Sequence, residues 1–295
     1  MLVLQLRVSG ETEPAYFLSM DHAGKYPLET MTVSTDHITH DVWFGPTLGP
    51  GVLLLHEIAG LSQNTARFAE SLIDAGFSVA MPHLFGRVGA EGNEGTGAGF
   101  ANLLGRCIAR EMSLFLRDQP PRGTEWLKKA AAALDERSVS PRGVGVIGMC
   151  ATGSFAMATV LDPQVGAVVA SQAVLPALRP GSWGVPGGDR KLADGDTAVM
   201  ALRFCTDGTS AKRRVNRLPE RMHETLTSSR SGPMDPKLPH AERGIEEGVG
   251  QRLHVVWAGG AGHSVLTAER VELAVAAVIA FLNENLGPIP ASEPA

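Results

Sequence analysis

Apolar residues along this chain alternate between short unbroken runs and longer stretches in which they recur at helical spacing. Val42-Trp43-Phe44 and Gly51-Val52-Leu53-Leu54-Leu55 read as strands. The second run is apolar throughout, as a strand covered on both faces must be. Across 62–75, Phe68, Leu72 and Ile73 fall on one helical face, and Gly76 stops the helix. Ser78-Val79-Ala80-Met81 is the next strand, ended by Pro82. An alanine-rich helix over 125–134 leads into the strand Gly143-Val144-Gly145-Val146-Ile147. The runs 165–170, 199–204 and 253–257 supply three more strands. The last helix carries Val271, Val275, Val278 and Leu282 on one face. Strand and helix in alternation predict an α/β fold: a mostly parallel central sheet with helices on both faces.

Three stretches break this rhythm: 85–123, 171–197 and 219–250. Each follows a strand, so each is expected as a loop or helical insertion at the carboxyl edge of the sheet, where ligands bind in such folds. Residues 1–287 are expected to form one domain, and 288–295 a disordered tail. The apolar run at 1–7 is too short for a signal peptide and reads as an edge strand.

Composition narrows the class. With 295 residues, 44% hydrophobic and 19% charged, the chain suits a large globular domain. A formal net charge of −5 leaves no basic footprint for nucleic acid, and no run is long enough to span a membrane. The three cysteines, Cys107, Cys150 and Cys205, are odd in number and lack metal-type spacing. They predict reduced thiols, a cytoplasmic setting, no cofactor and no metal. The expected partner is a small molecule, with the chain a monomer or homodimer.

One of these cysteines sits in an unusual place. Gly148-Met149-Cys150-Ala151-Thr152-Gly153 joins an apolar strand to an apolar helix. A sharp strand-to-helix turn holds a side chain clear of the sheet edge and aims helix N-terminal N–H groups at it. A cysteine so placed is favoured as thiolate and reads as a nucleophile. Such a nucleophile needs a base, and the base an acid to orient it. Asp207 follows the strand at 199–204, and His263 lies in a glycine-rich loop after the strand at 253–257. The order nucleophile, acid, histidine is the one this type of fold uses. Glu57, just past the central strand, is an ionisable group that needs a partner or a task. Arg87, past the next strand, is a candidate to answer it or to grip an anionic substrate group.

These residues resemble the dienelactone hydrolase family of the α/β-hydrolase fold, over roughly 51–286. The resemblance is carried by Leu55-His56-Glu57-Ile58-Ala59-Gly60, Pro82-His83-Leu84-Phe85-Gly86-Arg87, Gly148-Met149-Cys150-Ala151-Thr152-Gly153, Asp207 and Gly262-His263-Ser264. It implies a hydrolase of carboxylic esters or lactones with Cys150 as nucleophile, Asp207 as acid, His263 as base and Glu57 as the active-site glutamate. The backbone N–H groups of Ile58 and Ala151 would form the oxyanion hole, and Arg87 would bind a substrate carboxylate. Glu57 would keep the resting thiol protonated until substrate disturbs a Glu57–Arg87 contact. The chain departs from the family pattern at Thr152, where a glycine is usual, and at Thr267, where a second carboxylate-binding arginine is usual. It also has Val265 in place of a phenylalanine.

Other readings stay open on sequence. The same triad serves thioesterases, amidases and acyltransferases, whose leaving groups are chosen by the loops. A non-catalytic scaffold with Cys150 as a redox sensor would need neither Asp207 nor His263. Asp36-His37 and His40-Asp41 have the spacing of two metal ligands on one helical turn, without a third ligand in register.

Overall fold

The computed structural model describes residues 25–58, 60–86, 88–89, 121–174, 181–210 and 212–287. The strand expected at 1–7, Arg87, most of the 85–123 insertion and the 288–295 tail lie outside the described residues.

Ten strands form one sheet. They are β1 (Glu29–Ser34), β2 (Thr39–Phe44), β3 (Gly51–Leu55), β4 (Ser78–Pro82), β5 (Val144–Met149), β6 (Val165–Ser171), β7 (Ala198–Phe204), β8 (Thr227–Ser231), β9 (Ile245–Val249) and β10 (Leu253–Ala258). Their spatial order is β1-β2-β4-β3-β5-β6-β7-β10-β9-β8. From β4 to β10 in that order every pairing is parallel. The strands beyond, on both edges, pair antiparallel. The described helices are α1 (Gln63–Asp74), α2 (Pro121–Asp135), α3 (Gly153–Met157), α4 (Lys212–Asn216), α5 (Leu218–Met222) and α6 (Glu272–Leu286). This is the α/β-hydrolase architecture: a mostly parallel sheet with helices on both faces.

The period-2 geometry of a strand explains why the central runs are apolar at every position. In β3, Leu53 and Leu55 pack into the core shared with α2, while Val52 and Leu54 pack into the core shared with α1 and α6. The same division holds in β7, where Val199 and Ala201 face one core and Met200, Leu202 and Phe204 the other. Helix α1 starts where Ser62 accepts the Thr65 N–H at 3.2 Å, satisfying one of the unpaired donors of the first turn. Gly76, at φ +92°, ends the segment.

Two expectations change. The stretch 219–250 is not an irregular loop at the carboxyl edge: it contains most of α5 and the hairpin β8–β9, which extends the sheet past β10. Its strands escape a periodicity reading because β8, Thr-Ser-Ser-Arg-Ser, exposes all five side chains and is held by main-chain pairing to β9 with the Arg230–Glu246 ion pair. Strand β1 alternates on only two buried residues, Met31 and Val33, too short a signal to read. Residues 36–41 do not form a helical turn. Asp36 and His37 lie between β1 and β2, and His40 and Asp41 are successive residues of β2. Neighbours on a strand point to opposite faces, so the ligand spacing of a helix does not apply. Among the described residues no helix is long and apolar enough to cross a membrane.

Candidate active site

The chain leaves β5 at Met149 and turns through a 3-10 turn, Cys150–Thr152, directly into α3. Cys150 takes the bend at φ +57°, a left-handed conformation that non-glycine residues rarely adopt. The turn is tight enough that a Cβ on Gly148 would lie 2.1 Å from the Thr152 carbonyl oxygen. Only glycine fits there. Cys150 is buried, its carbonyl accepting the Val174 N–H at 3.2 Å from the loop after β6.

Asp207 lies just past β7, as expected from sequence. Its Oδ1 accepts from Thr209 N at 2.8 Å, Thr209 Oγ1 at 2.7 Å and Ser210 N at 3.2 Å. Its Oδ2 lies 3.0 Å from His263 Nδ1. Burial pushes this carboxyl up, but hydrogen bonds from His263, Thr209 and Ser210 outweigh it and hold the group well below the usual carboxylate range. Beneath the loop, the buried Arg203 guanidinium donates to three carbonyls: Phe204 at 3.0 Å, Ser210 at 2.7 Å and Asp207 itself. The acid is thus fixed through its side chain and its backbone.

His263 follows β10. Its Nδ1–H is shared between Asp207 Oδ2 and Thr209 Oγ1, the latter at 2.6 Å. Nε2 is therefore the nitrogen left for the thiol. Burial lowers the imidazole pKa, but the hydrogen bonds to Asp207 and to Cys150 reverse this and raise it to about 10. Its loop is pinned on both sides. The Glu269 carboxylate accepts the His263 and Ser264 N–H groups, the latter at 2.9 Å. Arg243 donates to the carbonyls of Ala261, Pro236 and Leu238, each at 2.9 Å.

Glu57 stands past the end of β3, half-buried. Its Oε1 accepts from Gln172 Nε2 at 2.7 Å and its Oε2 from Thr267 Oγ1 at 3.0 Å. Among the described residues its hydrogen-bond partners are therefore neutral, and the basic partner considered from sequence, Arg87, lies outside them. Thr267, where the resemblance implies an arginine, holds Glu57 together with Gln172. Ile58 and Ala151, the candidate oxyanion donors, are both buried on neighbouring segments.

The structure hydrogen-bonds His263 to Asp207 and sets Cys150 close enough to raise the His263 pKa, with Glu57 past the end of the neighbouring strand β3. Sequence reasoning missed Gln172, Thr209, Glu269, Arg203 and Arg243. Thr209 and Glu269 carry a faint signal, since Asp-x-Thr and a carboxylate six residues after a loop histidine suit local backbone capping. Cys205, partly buried, has its thiol pushed up by burial and then by Glu246. Among the described residues no group of three or more His, Cys, Asp or Glu side chains converges on a metal position.

Residues 42–177 match the dienelactone hydrolase family. The matched span contains Glu57, Arg87 and Cys150 and stops before Asp207 and His263. No curated protein matches the chain. Among solved structures, the chain is similar to a dienelactone hydrolase-like promiscuous phosphotriesterase, P91, from metagenomic libraries. The two are 16% identical with a TM-score of 0.58, over 90% of this chain and 100% of that one. It is similar too to the Pyrococcus furiosus esterase Pf2001, 13% identical with a TM-score of 0.56, over 97% of this chain and 100% of the esterase. At such identities the likeness speaks for the fold.

Proposed function

We propose that this chain, a divergent member of the dienelactone hydrolase family, hydrolyses carboxylic esters or lactones through a Cys150 acyl-enzyme. The observation that carries the reading is the His263–Asp207 hydrogen bond beside Cys150, with the cysteine at φ +57° on a strand-to-helix turn. The Cys150 thiol gives its proton to His263 Nε2 as its sulfur attacks the carbonyl carbon, and negative charge collects on the carbonyl oxygen. The Ile58 and Ala151 amides receive it; preorganised donors of this kind contribute about 3 kcal/mol each to lowering a barrier. The carbon–oxygen bond to the leaving group then breaks, and His263 gives the departing alkoxide its proton. Water adds to the thioester, its proton passing to His263. The carbon–sulfur bond breaks, the acid leaves, and the proton returns to the cysteine–histidine pair. Asp207 keeps Nδ1 protonated throughout, so that Nε2 exchanges the proton.

Glu57 is assigned to keep the resting thiol protonated, by the family resemblance and by its position past the end of the neighbouring strand β3. Gln172 and Thr267 each donate to one of its carboxyl oxygens and leave acceptor capacity to spare. Arg87 is assigned to an anionic group of the substrate. The test is turnover of p-nitrophenyl acetate by wild type, Cys150→Ala and His263→Ala, with intact mass of the protein quenched mid-reaction. Loss of activity in both variants and an acetyl adduct on wild type alone are expected. Activity surviving in both variants overturns the assignment.

A further inference from the structure

Thr152 is fully buried, and its hydroxyl lies where two strands part. The last paired residues of β3 and β5 are Leu55 and Gly148. Beyond that pair one strand leads to Ile58 and the other to Ala151, the two amides assigned to the oxyanion. Because the Thr152 backbone folds back over Gly148, its side chain drops between the diverging ends. Thr152 Oγ1 accepts the Met149 N–H at 2.9 Å, and the carbonyls of Met149, Leu55 and His56 surround it at 2.9, 3.1 and 3.1 Å. One hydroxyl thereby touches the ends of both strands. A glycine, the residue usual in the family at this place, would touch neither.

The far side of the same segment is tied by His56, which is fully buried. Its Nδ1 is 2.7 Å from the Glu57 carbonyl and its Nε2 accepts the Leu84 N–H at 3.0 Å. An imidazole that donates at one nitrogen and accepts at the other is neutral. The backbone leading to Ile58 is thus held between the loop after β4 and the hydroxyl of Thr152.

We propose that Thr152 is a positioning residue: its hydroxyl sets the separation and aim of the Ile58 and Ala151 amides. The inference rests on the oxyanion assignment made above. It concerns charge that exists only in the transition state, so its loss falls on kcat, with KM little changed. Donor misplacement by a fraction of an ångström to one ångström costs about a hundredfold.

The test compares Thr152→Val, Thr152→Ser and Thr152→Ala on p-nitrophenyl acetate. Alkylation of Cys150 by iodoacetamide, which develops no oxyanion, is measured beside it, and Cys150→Ala serves as control. Thr152→Val and Thr152→Ala are expected to lose about a hundredfold in kcat while alkylating at the wild-type rate. Thr152→Ser, which keeps the hydroxyl, is expected to recover most of the loss. Should Thr152→Val fail to fold, the Ser and Ala pair still isolates the hydroxyl, since both lack the methyl. Equal kcat in the Ser and Ala variants overturns the proposal, as does a loss of alkylation in parallel with kcat. If Cys150→Ala keeps wild-type activity, the nucleophile assignment fails instead. If Cys150→Ala is inactive and Thr152→Val is not impaired, only the positioning role fails.

Discussion

Gln172 donates from Nε2 to Glu57 Oε1 at 2.7 Å, and does so from a left-handed backbone at φ +36°. Its own Oε1 accepts from Ser171 Oγ, so the amide is fixed at both ends. Sparsely populated backbone of this kind costs about 1–3 kcal/mol and persists where surrounding contacts impose it. Replacing the amide by an apolar isostere leaves a half-buried carboxylate one donor short, at about 1–3 kcal/mol. Gln172→Leu is therefore expected to lose that much in urea unfolding. Gln172→Gly loses the same hydrogen bond but relaxes the backbone, and is expected to fall between Gln172→Leu and wild type. A Gln172→Leu protein as stable as wild type would refute the account.

Arg203 offers a second, separable prediction. Its guanidinium is buried at 2% exposure and donates to the carbonyls of Phe204, Asp207 and Ser210. The planar fork of arginine matches three divergent carbonyls; a lysine ammonium on a thinner stem does not. Arg203→Lys and Arg203→Met are both expected to be destabilised by about 3 kcal/mol or more, since each strands buried carbonyls. They are also expected to lose activity, because the Asp207 loop is no longer held against His263. A thermal shift with kcat/KM on the same samples checks this. Full activity in Arg203→Lys would show that the charge alone suffices.

The central strands were legible as unbroken apolar runs, α1 by its single apolar face, and α6 by its largely apolar sequence. The candidate site was legible for a related reason: Glu57, Cys150, Asp207 and His263 each stand just past a buried strand, where a polar residue is conspicuous. The residues that hold them were not. Arg203 sits inside the strand 198–204, where sequence gives no sign that a cation is buried beneath its own loop. Gln172 and Thr267 meet at Glu57 from segments 95 residues apart, a pairing only the fold creates. The polar hairpin β8–β9 escaped for the opposite reason, since it buries too little to impose a period.

The pH dependence follows from His263 and Asp207. His263 is raised from 6.5 to about 10 in the folded protein, with burial opposed and overcome by Asp207 and Cys150. A raised folded pKa contributes stability that is complete below 6.5 and disappears as pH climbs through about 10. Asp207 is depressed from 3.8, so its contribution is complete above 3.8 and is lost as pH falls through its folded value. The two describe one interaction, greatest between 3.8 and 6.5. The difference in melting temperature between wild type and His263→Gln is expected to peak in that window and shrink on both sides. In catalysis the cysteine–histidine pair must carry one proton, whichever atom holds it, so kcat/KM falls on the alkaline side. Asp207→Asn removes the anion that favours the imidazolium and is expected to move that limb down by about one pH unit or more. A limb that stays in place would remove Asp207 from the triad.

The charge of the substrate can be read out at Arg87. Thr267 supplies a hydroxyl to Glu57 where the family pattern has an arginine, so the position offers a substrate carboxylate no cation. An anionic substrate then depends on Arg87 alone among the residues assigned to binding. A charge-assisted pair to a carboxylate contributes about 1.5–3 kcal/mol, equivalent to roughly tenfold to a hundredfold in affinity. Arg87→Ala is expected to lower kcat/KM by about tenfold or more on a carboxylate-bearing lactone, with a neutral acetate ester nearly unaffected. Steady-state kinetics on the two substrates in parallel decide it. An equal loss on both would make Arg87 a structural residue; no loss on either would mean that it does not bind the substrate carboxylate.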